Sequence, residues 1–226
     1  MPLTYRLALN IDVRNVRKLV ASATKIVVAK PAGHEPPNVA WLAWTPQAWN
    51  TLVWTESYGA FAAEIPSGDG SPIAAHTVVY PARDRAMYSF LGTGLSFVLD
   101  SPGVPRGHFT VRNAMPHKIS AGLIQAAKLN GRLVRSPVND SVLPPGYTAD
   151  FIGVPKLYVW LQANVVSGSA PARIPIDAAV VVFDAAHPAQ RCRYDETDAR
   201  FVVVPPYRNG IDALLERVLF PQPTFV

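Results

Sequence analysis

This chain has one cysteine, Cys192, so no disulfide can close within it and its stability has to come from buried apolar surface. Charge is scarce as well: Asp, Glu, Lys and Arg make up 16% of the residues, against about a quarter in an ordinary globular domain. Between Pro31 and Ala82 there is no Lys or Arg at all. No apolar run approaches the ~20 residues a membrane-crossing helix needs. The first dozen residues, Met1 to Asp12, hold neither an extended apolar stretch nor a small-residue cleavage site after one. The expectation is a chain without a transmembrane segment, cytoplasmic or released without a classical signal peptide.

Chemical signatures are missing too. His34, His76, His108, His117 and His187 are scattered, with no H-x-H or H-E-x-x-H spacing, so no metal site and no cofactor are expected. There is no G-x-S-x-G, P-loop or G-x-G-x-x-G, and Gly92-Thr-Gly94 alone is a turn signal. Cys192 lies between Arg191 and Arg193, whose charges would lower its pKa if they faced it.

What the chain has in quantity is turn residues and apolar side chains. Its 22 prolines and 14 glycines cut it into strand-length pieces, and 49% of its residues are hydrophobic. Proline and glycine at this spacing exclude long helices, and the β-branched and aromatic pieces between them read as strands. The pattern predicts one all-β domain over residues 1–226. Its form is a mainly antiparallel β-sandwich with one or two short covering helices.

Particular elements are legible. Tyr5, Leu7, Leu9 and Ile11 alternate with Arg6, Ala8, Asn10 and Asp12, the period of a half-buried strand. Further strands are expected at Lys25–Ala29, Val39–Trp44, Leu52–Tyr58, Ile73–Tyr80, Leu95–Leu99, Phe109–Asn113, Lys156–Ala163, Ala178–Phe183 and Phe201–Val204. Asn130-Gly131 is a hairpin signal because both residues tolerate positive φ, although Ile119–Leu129 before it also fits a helical face. Asp12 caps a predicted helix running to about Ala23, with Val16, Leu19 and Val20 as its stripe. A second helix is predicted after Asn209-Gly210.

The most informative cluster lies in the cation-free stretch, where four of the five tryptophans fall: Trp41, Trp44, Trp49 and Trp54. Tryptophan is a large apolar ring with one N–H donor, suited to a core or to an aromatic binding surface. Trp54 and one of Trp41 or Trp44 are expected in the core. Trp41 and Trp44 are three apart, which places them on opposite faces of a regular strand. Trp49 follows Thr45-Pro46-Gln47-Ala48, an expected turn, and is the best candidate for exposure. Trp41, Trp44, Trp49 and Tyr58 are therefore the candidate ligand-binding residues. Glu56 shares a strand face with Trp54 and Tyr58, and a carboxylate in such surroundings can act as a general acid or base. Solvent exposure at a bulge, or pairing with an arginine, is the structural alternative. A hydrolase would need a second carboxylate, for which Asp100, Asp150 and Asp177 are candidates.

Basic residues outnumber acidic ones by 21 to 16, and the isoelectric point is near 9.5. They lie apart from the tryptophans in sequence, unlike the interleaved pattern of single-strand binders, which disfavours nucleic acid. The reading that follows is a non-catalytic binding or assembly protein. It recognises a glycan, a lipid surface or a second copy of itself, as a homo-oligomer, through aromatic loops, in the manner of a lectin or a small membrane-active toxin. The alternative is a small-molecule or glycan-processing enzyme with a tryptophan-lined pocket and Glu56 as acid or base.

Overall fold

A computed structural model describes residues 3–33, 36–64, 70–75, 77–91, 96–101, 105–170 and 174–205. The chain opens with β1 (Thr4–Asn10), α1 (Val13–Ala21), β2 (Thr24–Ala29), β3 (Leu42–Trp44) and the long β4 (Trp49–Ala63). It continues through β5 (Thr77–Val79), β6 (Ala86–Leu91), β7 (Ser96–Ser101), β8 (His108–Asn113), β9 (Ile119–Leu129), β10 (Arg132–Pro137), β11 (Ser141–Leu143) and β12 (Thr148–Ile152). It closes with β13 (Lys156–Ala163), β14 (Ala179–Val182), β15 (Ala189–Asp195) and β16 (Arg200–Val204). The expected helix after Asn209-Gly210, the Gly92–Gly94 turn and Leu95 lie outside the described residues, as do His34 and His76.

The fold is all-β and sandwich-like. A large sheet runs β10-β9-β4-β1-β15-β16, with β11 added to β9 and β5 to β4. Two four-stranded sheets run β12-β8-β6-β7 and β14-β13-β2-β3. Pairing is antiparallel except for β1 with β15 and β6 with β8. One core joins the sheets: Leu7, Leu9, Leu52 and Trp54 of the large sheet share a buried cluster with Ile26, Val28, Leu157 and Val159 of one small sheet and Phe90 and Val111 of the other.

Local chemistry explains the elements. The Asp12 side chain accepts a hydrogen bond from the Arg14 N–H at 2.8 Å and so caps α1. The helix buries Asn15 and packs Val16 and Leu19 on the core, but Val20 is exposed, because so short a helix rests on one narrow line of contact. Asn130 and Gly131, at φ 47° and 83°, form the two-residue turn joining β9 to β10.

The ambiguous segment Ile119–Leu129 is a strand, because it lies between β4 and β10–β11 with apolar groups on both faces. Ile119, Ala121 and Leu123 enter the main core, while Ile124 joins Val39, Phe61 and Ile73 in a separate cluster on the opposite face. That second cluster covers only part of the large sheet's outward face. Around Trp49, Thr51 and Val53 the face is partly exposed.

The expected opposition of Trp41 and Trp44 does not occur. Trp41 precedes β3, so strand alternation does not govern it, and both rings are buried in the main core. Their N–H groups are satisfied there, Trp41 Nε1 by the Gln125 carbonyl at 3.3 Å and Trp44 Nε1 by Asn50 Oδ1 at 2.9 Å.

Gly122 offers a sharp check on this packing. A Cβ there would lie 2.3 Å from the Asn139 carbonyl oxygen, a backbone atom that cannot swing aside. Gly122→Ala is expected to cost about 3 kcal/mol or more, the upper range for overpacking, in urea denaturation. Gly131→Ala meets no neighbour within 4 Å and is expected to cost only about 1–2 kcal/mol, from its left-handed backbone.

Candidate functional site

Two places hold the residues singled out from sequence, one inside the molecule and one on its surface. The inner one begins with a parity rule. Ile26 and Val28 of β2 point into the main core, and Lys30 continues that alternation one residue beyond the strand. Its side chain has no exposed surface, while that of Glu56 is 25% exposed.

On β4, Trp54 pairs with Ala127 of β9 and Tyr58 with Gln125, so four steps along one strand match two along the other. The resulting bulge keeps Trp54 and Tyr58 on the core side and sets Glu56 between them. Glu56 Oε1 accepts from Lys30 Nζ at 2.7 Å and from Trp54 Nε1 at 3.1 Å, and Oε2 accepts from the Tyr58 hydroxyl. Lys30 Nζ also donates to Gln125 Oε1 at 3.2 Å, and Gln125 Nε2 donates to the Thr55 carbonyl at 2.7 Å. Three rings surround the ammonium, those of Tyr58 at 4.9 Å, Trp54 at 5.7 Å and Trp41 at 5.9 Å.

The electrostatics follow from burial. Desolvation lowers the Lys30 pKa to about 8, with Glu56 opposing the fall. Desolvation and the neighbouring Glu56 charge together hold the Tyr58 phenol well above its usual value. Glu56 is therefore an acceptor engaged by three donors, and its partner is a lysine where an arginine was expected. Of the proposed second carboxylates, Asp150 accepts from Thr110 Oγ1 on the other side of the β12–β8 pair, and Asp177 is exposed. The Asp100 side chain lies outside what is described. The two clefts described next include no member of this cluster.

The outer place is the open part of the large sheet. Directly paired residues share a face, and the register lines up Trp49, Asn10, Arg193 and Val202 across four strands. The next row is Thr51, Ala8, Arg191 and Val204. Trp49 is 47% exposed, and it is the first residue of β4 rather than part of the turn before it. A cleft of about 400 Å³ lies on one side of it, lined by Asn10, Arg191, Arg193, Val202 and Val204 among others. A second, of about 580 Å³, lies on the other side and is edged by Asp12, Asp195 and Glu196. Trp49, Asn10 and Arg193 border both.

The same alternation settles Cys192. It is buried on the core side while its arginine neighbours face outward, so they do not activate it, and burial pushes the thiol up to about 12. No cluster of three or more metal-ligating side chains occurs among the described residues.

The ligand-binding candidates thus separate. Trp41, Trp44 and Tyr58 are core residues, Trp41 packed edge-on against Trp54, Trp44 bonded to Asn50 and Tyr58 set beside Lys30, and Trp49 alone of the four is exposed. Sequence reasoning missed Lys30, Asn10, Arg191 and Arg193 as site residues. For Lys30 the signal was available, since Ile26, Val28 and Lys30 keep one parity. For the arginines it was not, because β1–β15 pairing joins positions some 180 residues apart. Compared with known proteins, the chain matches no family model, no curated protein and no solved structure.

The buried pair makes two predictions. Glu56→Gln keeps an acceptor beside Lys30 but removes the countercharge, and Lys30 can shed its proton in response. The expected loss in urea denaturation at pH 7 is about 1–3 kcal/mol, below the ~3–5 of a pair simply broken. The second concerns pH. With a folded pKa of about 8 and an ordinary value of 10.5, Lys30 is protonated in both states below about 8. Between those values the unfolded chain binds more protons, so this group adds stability as pH rises. Tyr58 and Cys192, with raised values, act in the opposite sense at higher pH. Unfolding free energies measured from pH 7.5 to 9 should therefore rise in the wild type relative to Lys30→Met. Parallel curves would show that Lys30 does not titrate there.

Proposed function

We propose that this chain is a non-catalytic binding protein that takes a glycan on the open face of its large sheet, with Trp49 stacking on a sugar ring. The observation that carries this is the separation of the tryptophan cluster. Trp41, Trp44 and Trp54 are buried, whereas Trp49 stands at the divide between two clefts. An exposed indole beside hydrogen-bonding groups suits a sugar, whose rings present C–H surface to the indole and hydroxyls to its neighbours. Asn10 and Arg193 border both clefts and offer those polar contacts.

The enzyme alternative finds less support. Its candidate acid, Glu56, directs its bonds into the core toward Lys30, Trp54 and Tyr58. A lipid surface finds less support, since among the described residues Trp49 is the one large ring on a floor of small apolar residues and its direct cross-strand neighbour, Asn10, is polar.

Trp49→Ala is expected to leave the thermal midpoint nearly unchanged and to abolish retention on a glycan array. Trp54→Ala removes a ring packed edge-on against Trp41 and Phe183, and should cost about 3–5 kcal/mol. Array binding that survives Trp49→Ala, or the reverse order of stabilities, would overturn the assignment.

A further inference from the structure

We infer that the glycan is an acidic one, carrying sulfate or carboxylate groups along its chain, and that Arg191 and Arg193 are the residues that recognise this charge. The inference rests on the reading of Trp49 above and adds to it the chemical class of the ligand.

Register supplies the argument. Arg6 pairs with Val53 and Ala189, Ala8 with Arg191, and Asn10 with Arg193, so Arg6, Arg191 and Arg193 lie on one face in adjacent rows. Arg191 and Arg193 are two residues apart on β15, a separation of about 7 Å, and β1 runs about 5 Å to their side. Lys128 of β9 pairs with Val53 and adds a fourth cation in the Arg6 row. The residues between them are short: Ala8, Thr51, Val53, Ala189, Val202 and Val204. Exposed Arg193 and Lys128 and half-buried Arg6 and Arg191 therefore line a low, mostly apolar floor, a track that fits a linear polyanion lying flat.

The acidic groups mark the end of the track. Asp195 follows Arg193 by two residues on β15, and Asp12 and Glu196 edge the second cleft beside it. Glu196 is held by Lys18 at 2.8 Å and by Asn15 at 3.3 Å. A polyanion is repelled at that end and directed from Arg193 toward Arg191 and Arg6, with Trp49 beside its first sugar. Single-stranded nucleic acid would also meet the cations, but its binders stack successive bases on several rings. Among the described residues in the rows of Arg6, Arg191 and Arg193, Trp49 is the one aromatic.

The test titrates the full chain with a heparin oligosaccharide, a neutral cello-oligosaccharide, polyuridine and vesicles containing phosphatidylserine, following tryptophan fluorescence and calorimetric heat. Heparin is expected to bind most tightly, and to weaken as salt rises and screens the arginines. The double variant Arg191→Gln/Arg193→Gln should bind heparin about tenfold or more weakly, the scale of lost charge-assisted hydrogen bonds. Lys118→Gln, an exposed cation off the track, should change nothing. Arg193→Gln alone, at an exposed position, keeps the test readable if the double variant melts early.

The inference is overturned if heparin does not bind, if the arginine variants bind it as well as the wild type, or if polyuridine or vesicles bind more tightly. Should the cello-oligosaccharide bind as tightly as heparin and lose binding in Trp49→Ala, the charge assignment fails and the glycan reading stands. Should Trp49→Ala leave heparin binding intact while the arginine variants lose it, the stacking reading fails and the charged track stands.

Discussion

An ammonium group with no exposed surface must find its counterpart inside the protein, and the arrangement of three strands follows from where Lys30 finds it. A buried charge left unpaired costs several kcal/mol, and a pair removes that cost only when the remaining donors and acceptors are also satisfied. Here they are. Glu56 takes one donor from Lys30, one from Trp54 and one from Tyr58, and Gln125 takes a second from Lys30. The β4 bulge is the device that makes this possible, because it places Glu56 between Trp54 and Tyr58 without turning either ring out of the core. The pair therefore ties the end of β2 to the middle of β4 and to β9 at one point. Apolar replacement of such a pair is often neutral, so its net gain in stability is small, and what it adds is a fixed meeting point of β2, β4 and β9.

The tryptophan cluster divides along the same line. Trp41 and Trp54 contribute ring faces to the ammonium and edges to one another, and Trp44 is fixed by Asn50. These three indoles are committed to the core. Trp49, five residues before the last of them, begins β4 on the other face, where the covering cluster of Val39, Phe61, Ile73 and Ile124 does not reach. One strand thus serves both purposes. Its inward residues hold the charged core together, and its outward residues form the floor on which Trp49 and the arginines stand.

Much of the fold was legible because it is governed by local rules. Period-two alternation marked Tyr5–Ile11, proline and glycine marked strand ends, Asp12 marked the start of α1, and Asn130-Gly131 marked the turn into β10. Strands with weak alternation, such as Ala86–Leu91, Thr148–Ile152 and Ala189–Asp195, were not read, since pairing partners rather than their own pattern hold them in place. The candidate site was legible only in part. Trp49 and Glu56 could be singled out by residue type and position, but neither the lysine opposite Glu56 nor the arginines beside Trp49 lie near them in the chain.

The sequence by itself determined the class of structure, because alternation and turn chemistry act over a few residues and admit little besides a β-rich fold. It also singled out Glu56 as a carboxylate on the strand face of Trp54 and Tyr58, while leaving open whether that carboxylate would turn to solvent or find a cation. Tertiary structure decided what those groups do. Chain crossing brought Lys30 to Glu56 across 26 positions and β15 beside β1 across some 180, and contacts of that span leave no local trace. The fate of each tryptophan was decided in the same way, by whether another sheet or segment came to cover it.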